Sequence, residues 1–169
     1  VYAARRTMLH AIDLRKNAQR LTLLACCELI LGRLDDAQTH AEQAHELALA
    51  RVQTLCVLVD VLYTAGKAEQ ARRMLHIAVL RAQSVDERLS VAVECAKHGE
   101  DGLTLRLTRS LLRRDSYCTR GMMLRGCALM NLRRFDEAKR VFARLCVLLP
   151  EDTVCQAYYG MARDERLPD

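Results

Sequence analysis

A sequence pattern that returns after about 34 residues constrains the fold of this chain more than any other feature. Gly32 and Gly66 are separated by one such period, and so are Ala37 and Ala71. Further apolar pairs keep the same offset: Leu21 and Leu55, Leu24 and Leu58, Ala44 and Ala78. A period of this length is typical of a supersecondary unit that stacks on its neighbours to bury its apolar surface.

The pattern returns near the end of the chain. Asn131–Ala138 has the sequence of a turn that leads into a helix, and that helix would end before Pro150, because proline is disfavoured inside a helix. Ala138 follows Ala71 by close to two periods, which leaves room for one further repeat between them. The intervening stretch contains two helical patterns on either side of a break at His98–Gly102. The sequence therefore predicts four repeats.

Each repeat is predicted to be a pair of amphipathic helices joined by a tight turn. The turn glycine can adopt the left-handed conformation that ends a helix, and the small residue after it lets the two helices approach closely. We expect repeats at about 18–51, 52–85, 86–118 and 119–152, the third about one residue short, with flanking helices at about 3–16 and 153–164. No linker divides the chain, so a single domain over 1–169 is expected.

Composition supports an all-α fold. Only two prolines and seven glycines occur in 169 residues, and the aromatic residues are five Tyr and two Phe. Strand-rich domains use more of these residues, whereas Ala, Leu, Arg and Glu favour helix. No apolar run reaches the roughly 18 residues of a membrane span. We expect a cytoplasmic protein that does not bind membranes and, since the first residue is Val, a domain of a larger bacterial protein.

These repeats resemble the tetratricopeptide repeat (TPR) family, whose pattern is a helix–turn–helix of about 34 residues with small residues at the helix contacts. The residues that carry the resemblance are Ala25, Gly32, Leu34, Ala37, Ala41 and Ala44, then Gly66, Ala68, Ala71 and Ala78, then Gly126, Phe135, Ala138, Phe142 and Pro150. Arg133 stands where the turn glycine belongs, and 86–118 lacks the second-helix alanine. The resemblance implies a right-handed superhelical solenoid of antiparallel helix hairpins.

The resemblance also implies a concave groove lined by the first helix of each hairpin, which binds a peptide or protein segment. The residues placed there by register are Gln19, Thr22, Cys26, Gln53, Cys56, Asp60, Tyr63, Glu94, Met123, Cys127 and Met130, with Leu29, Ser90, Lys97 and Met161 beside them. Exposed Met and Cys suit a groove that repacks around an apolar peptide. Two alternatives remain: several of these residues could belong to the core, or a neighbouring domain could cover them.

Catalytic and metal-binding patterns are absent from the sequence. His40 and His45 are off the spacing of a helical metal pair, and surface positions on a helix are expected for them. The eight cysteines lack the spacing of a zinc knuckle, and most fall within apolar helical stripes, so reduced thiols are expected. We predict no enzymatic activity and no cofactor.

Arginine accounts for most of the formal net charge of +5. Arg106, Arg109 and Arg113 share one face of a predicted helix, and a further group follows: Arg114, Arg120, Arg125, Arg133 and Arg134. A solvated helix face is one interpretation; an acidic protein partner and nucleic acid are the others. Because aromatic residues are sparse, stacking platforms for single strands are few, and nucleic acid is the less expected partner.

The predicted function is a non-catalytic protein–protein interaction scaffold. One alternative is a small TPR-type secretion chaperone, and another is a regulatory helical-repeat domain that associates with nucleic acid through the arginine-rich face. The flanking half-repeats would leave stacking faces open, and either missing neighbours or self-association would cover these faces.

Overall fold

The computed structural model describes residues 1–14, 17–49 and 51–167, and the side chains of all these residues except 10–14. All regular structure in these ranges is helical. The helices are α1 (Tyr2–Leu14), α2 (Ala18–Ile30), α3 (Leu34–Leu47), α4 (Val52–Thr64), α5 (Ala68–Arg81), α6 (Val85–Lys97), α7 (Asp101–Arg114), α8 (Thr119–Asn131), α9 (Phe135–Leu148) and α10 (Thr153–Arg163). The all-α helical-repeat fold predicted from the sequence is confirmed.

Helix order follows the predicted hairpins, α2/α3, α4/α5, α6/α7 and α8/α9, with α1 and α10 as flanking helices. The one-residue shortening lies elsewhere than predicted. The loop before α6 has three residues, Ala82–Ser84, whereas the loops that precede α8 and α10 have four. The shortened repeat is therefore the second one, and the third has the full length.

The chain forms two compact units, Val1–Ala82 (unit 1) and Gln83–Asp169 (unit 2). Unit 1 contains α1 to α5 and unit 2 contains α6 to α10. The boundary coincides with the shortened loop. The single domain expected from the sequence stays a prediction.

Each first helix ends at a residue in the left-handed conformation. Gly32, Gly66 and Gly99 have φ angles of 73°, 74° and 71°, and Arg133 has a φ of 56°. The residue after each of them donates its N–H to the carbonyl five positions earlier, as in Arg33 N to the Glu28 oxygen at 2.9 Å. This Schellman arrangement satisfies carbonyls that the helix end would leave unpaired. The turn positions predicted from the sequence are confirmed.

Side chains define the start of three helices. Asn17 Oδ1 accepts a hydrogen bond from Arg20 N at 3.0 Å, and Asp152 Oδ1 accepts one from Val154 N at 2.9 Å. At α6, Ser84 Oγ accepts from Glu87 N while Glu87 Oε2 accepts from Ser84 N, which forms a capping box. The backbone hydrogen bonds from Ser84 and Gln83 lower the pKa of Glu87.

Alanine contacts hold the hairpins of unit 1 together. Its core contains Ala25, Ala37, Ala41 and Ala71, together with Leu58, Val61 and Leu62. Ala37 and Ala71 are fully buried, as expected for the small residue that follows each turn. Because alanine side chains are short, the helix axes approach closely and the burial is dense.

A buried carboxylate is the exception in this alanine-rich core. Glu28 is 0 % exposed, and its Oε2 lies 2.7 Å from His40 Nδ1. Its Oε1 lies 3.4 Å from Arg5 Nη2, so α1, α2 and α3 meet at this group. His40 was expected at the surface of its helix; its side chain is only 22 % exposed because it faces Glu28. These two contacts offset part of the desolvation cost of the buried carboxylate, while Glu28 Oε1 accepts no hydrogen bond.

Unit 2 packs around Phe142. The ring of Phe142 is fully buried and stacks on Tyr158, with centroids 5.4 Å apart and planes inclined at 24°. The backbone of Gly126 approaches this ring so closely that an added Cβ would lie 2.4 Å from Phe142 Cζ. Gly160 has the same register position in α10, and a Cβ there would meet no atom within 4 Å.

Threonine replaces alanine in the third hairpin. Thr104 and Thr108 are both 0 % exposed on α7, and Thr104 takes the register position of Ala71 and Ala138. Their hydroxyls donate to the carbonyls of Glu100 at 3.1 Å and of Thr104 at 2.7 Å. Both polar groups are satisfied within the helix, so the position tolerates a small polar residue.

We expect Arg133→Gly to raise the free energy of unfolding by about 0.5–1 kcal/mol, because a side chain at positive φ is strained and glycine removes that strain. Gly99→Ala is the matched control at the equivalent turn and should lower it by a similar amount. Urea unfolding of both variants measures the difference. A stability loss for Arg133→Gly would contradict the prediction.

Gly126→Ala should lower the free energy of unfolding by about 1–3 kcal/mol, because the new methyl group overlaps the Phe142 ring. Gly160→Ala places the same methyl group in open space and should gain up to about 1 kcal/mol from helix propensity. Thermal unfolding followed by circular dichroism compares the two. Equal shifts would show that the Phe142 contact does not limit the packing.

The buried thiol of Cys155 should make the protein less stable at alkaline pH. This thiol is fully buried, and burial followed by the nearby Asp152 carboxylate raises its pKa from 9.0 to about 11. Because the folded state keeps the thiol protonated, its contribution is present below the unfolded pKa and is lost as pH rises from about 9 to about 11. The stability difference between about pH 8 and pH 10 should be smaller for Cys155→Ala than for the natural chain. Equal stability differences for the variant and the natural chain would contradict this prediction.

Candidate functional site

The candidate site comprises the first-helix residues that the sequence placed on one face of the repeats. Within unit 1 these residues lie on α2 and α4, and within unit 2 they lie on α6 and α8. The two sets are treated as separate surfaces, the unit 1 strip and the unit 2 strip. Their chemistry differs.

The unit 1 strip is predominantly polar. Gln19 and Gln53 are exposed, and Cys26, Asp60 and Tyr63 are half-buried. The two remaining residues predicted for this strip are buried: Thr22 is 4 % exposed and Cys56 is 8 % exposed. The Thr22 hydroxyl donates to the Ala18 carbonyl at 2.7 Å, so it is satisfied within its own helix. The accessible part of the strip therefore offers amide, carboxylate and phenol groups.

The unit 2 strip combines sulfur side chains with one carboxylate. Met123 and Cys127 are half-buried and pack against the unit 2 core. Glu94 is half-buried, and its Oε2 lies 3.7 Å from His98 Nε2 and 4.0 Å from Lys97 Nζ. A strip that offers soft sulfur side chains and a carboxylate suits an amphipathic segment.

Met130 requires a correction. The sequence placed it in the groove, but its side chain is 0 % exposed and belongs to the core cluster of Leu129, Phe142 and Leu145. Leu129 and Met130 are consecutive residues of α8 that both belong to this cluster. A partner cannot contact Met130 while the unit stays folded.

Cys127 is a protonated thiol at neutral pH. Burial raises its pKa, and its hydrogen bond with the Tyr158 hydroxyl opposes that shift only in part. The pKa of Tyr158 is also raised, first by the charge that Cys127 would carry and then by burial. A nucleophilic or metal-binding cysteine needs a lowered pKa, so this pair serves as a packing contact.

Two exposed positions of α10 are polar where the corresponding positions of α8 are apolar. Gln156 and Arg163 are exposed, whereas Met122 and Leu129, one repeat earlier at the same register positions, are buried. Self-association through this end of unit 2 would require burial of an amide and a guanidinium. The structure therefore gives no support to that expectation for α10.

Seven arginines of unit 2 fall into three groups. Arg106, Arg109 and Arg113 are exposed on α7, as expected from their shared face. Arg134 pairs with Glu137, with Nη2 and Oε1 2.6 Å apart. Arg125 lines a cleft in unit 2 with two arginines that the sequence analysis did not single out, Arg140 and Arg144. Their i, i+4 spacing on α9 was the available signal.

None of the helices in the described ranges combines the length and the apolar character needed to cross a membrane. No protein-family model matches the chain, and no curated protein matches it in sequence.

Solved structures match the fold. YrrB, described as a TPR protein with an unusual peptide-binding site, superimposes with a TM-score of 0.64 at 18% identity over 93% of this chain and 82% of that chain. A TPR protein from Parabacteroides merdae gives a TM-score of 0.73 at 13% identity, covering 95% of this chain and 65% of that chain. The APC/C hetero-tetramer Cut9–Hcn1 gives 0.69 at 13% identity, covering 96% and 33%. The chain therefore has the TPR-like helical-repeat fold that its turn glycines and alanines predicted.

Proposed function

We propose that this chain is a non-catalytic interaction scaffold that binds a peptide or protein segment along the exposed faces of its first helices. The fold supports the assignment as an interaction scaffold, because TPR-type repeats serve as surfaces for protein–protein interaction. The location of the binding surface on the first helices is inferred from which of their side chains remain accessible.

The observation that carries the proposal is the mixed chemistry of the two strips. Gln19 and Gln53 offer exposed amides in unit 1, while Met123 and Cys127 offer half-buried sulfur side chains in unit 2. Amides can pair with a peptide backbone, and methionine adapts its shape to apolar side chains. A segment that alternates polar and apolar residues is the partner best matched to such surfaces.

YrrB supports the same interpretation. It shares the fold over 93% of this chain, and it is described as having an unusual peptide-binding site. At 18% identity the likeness concerns the fold, so the binding residues proposed here come from the exposure of this chain's own side chains.

Site-specific photo-crosslinking in the native cell tests the proposal. A photoreactive amino acid at Gln53 or Ser90, both exposed on first helices, should capture a protein partner. The matched controls are His76 on α5 and Lys139 on α9, which are exposed on second helices. The same partner should appear at Gln53 or Ser90 and be absent at His76 and Lys139.

Salt separates the proposed partner from nucleic acid. Apolar peptide contacts should persist at high ionic strength, whereas binding to a phosphate backbone weakens steeply. The salt comparison is made by irradiating a lysate at low and at high ionic strength, because a crosslink is covalent once formed. Equal yields at all four positions, or products that contain nucleic acid and form only at low salt, would refute the first-helix surface.

A further inference from the structure

A cleft in unit 2 combines three arginines with an apolar floor. It lies between α7 and α9 over α8, has a volume of about 240 Å³, and is lined by Arg125, Arg140, Arg144, Leu112, Met122 and Val141. We call it the arginine cleft. A second hollow of about 190 Å³ continues it along α9, past Arg125 and Arg140 to Glu137. Together they form a short channel on the second-helix side of the unit, apart from the unit 2 strip.

The arginines of the cleft hydrogen-bond to backbone carbonyls. Arg125 Nη1 donates to the Leu105 oxygen at 3.2 Å, and Arg140 Nε donates to the Asp136 oxygen at 3.2 Å. Arg144 Nη2 donates to the Ser116 oxygen at 2.9 Å. These bonds fix the positions of the guanidinium groups, yet each leaves most of the five N–H donors available.

The positive charge of the cleft is not balanced by ion pairs. None of the ion pairs found among the described residues includes Arg125, Arg140 or Arg144. Glu137, at the edge, pairs with Arg134 at 2.6 Å. The cleft therefore presents oriented, cationic donors to solvent.

Burial makes the positive charge of Arg125 less favourable. The pKa of Arg125 is lowered, chiefly because burial removes water from the guanidinium, and the charges of Arg134 and Arg109 act in the same direction. The charge of Glu137 offsets only part of this effect. A bound anion would relieve both the lost hydration and the repulsion among the cations.

Unit 1 shows that the fold does not require these arginines. The equivalent cleft lies between α3 and α5 over α4, has a volume of about 380 Å³, and is lined by Glu42, His45, Leu58, Leu62, Gln70, Arg73 and Met74. Arg73 has the register position of Arg140. Leu58 has the register position that Arg125 has in unit 2, and the acidic residue Glu42 also lines the unit 1 cleft. The apolar floor is thus shared, whereas the concentration of cations belongs to unit 2.

We propose that the arginine cleft is a second docking surface, which binds an acidic protein segment. Carboxylates of the segment pair with Arg125, Arg140 and Arg144, and an apolar side chain of the segment rests on Leu112, Met122 and Val141. Planar guanidinium groups match carboxylates in bidentate geometry, which gives orientation as well as affinity. The apolar floor has no counterpart in a phosphate backbone, and no aromatic side chain lines the cleft to stack on a base.

Fluorescence anisotropy with a labelled peptide tests this surface in the full chain. The probe is a short helical peptide with Glu at positions i and i+4 and Leu at i+3, so that all three share one face. It should bind saturably, and Arg140→Gln or Arg144→Gln should weaken it about fivefold to tenfold, the loss of one charge-assisted hydrogen bond. Arg73→Gln, which removes the same charge from the equivalent position in unit 1, should leave the affinity within about twofold.

Two altered peptides test the carboxylate contacts and the apolar contact separately. Replacing both Glu residues by Gln should abolish saturable binding, and replacing Leu by Ser should weaken it. Circular dichroism of the three arginine variants controls for folding; all three positions are exposed, so their spectra should match that of the natural chain.

Three outcomes would overturn the proposal. The first is an equal loss for Arg73→Gln and Arg140→Gln, which would indicate general charge attraction. The second is an absence of saturable binding up to about 1 mM peptide, weaker than the usual range of specific recognition. The third is tighter, Arg140-dependent binding of a DNA duplex than of the peptide, which would assign the cleft to nucleic acid.

Discussion

The left-handed residue that ends each first helix is the constraint on which the rest of this structure depends. At Gly32, Gly66, Gly99 and Arg133 the backbone reverses within a tight turn, and the hydrogen bonds across the turn fix where the second helix starts. A fixed start brings the same register position of each second helix against its partner. That position is alanine or threonine because only a short side chain fits there. The geometry of the turn therefore also determines which core position must carry a short side chain.

Most of the fold was predictable because this constraint is local in sequence. A glycine followed by a small residue can be recognised without knowledge of distant contacts, and helix bounds followed from it. Two details were not accessible in this way. The shortened loop was assigned to the wrong repeat, because Ser84 starts α6 one residue earlier than expected. Thr104 was not recognised as the substitute for alanine, because its hydroxyl is satisfied inside its own helix.

The candidate site was less predictable because exposure depends on neighbouring helices. Met123 and Met130 both fit a groove by register, yet the second is buried by packing that the sequence of α8 does not reveal. The arginine cleft combines Arg125 of α8 with Arg140 and Arg144 of α9. The i, i+4 spacing of the last two was visible in the sequence, but their position beside Arg125 depends on how the two helices pack. The pairing of Glu28 with Arg5 and His40 likewise spans three helices. Long-range polar contacts leave no periodic signal.

The buried Glu28 has a consequence for anyone who trims this protein. The repeat pattern suggests Asn17 as a natural place to begin a fragment, since α2 opens the first complete hairpin and Asn17 caps it. Such a fragment would lose Arg5 and leave the carboxylate with His40 as its neighbour, in a position where the other repeats carry Leu62, Cys95 and Leu129. A dehydrated anion deprived of a cation is among the costliest defects a core can contain. The first helix, outside the repeat pattern, therefore contributes through Arg5 to the stability of the first hairpin.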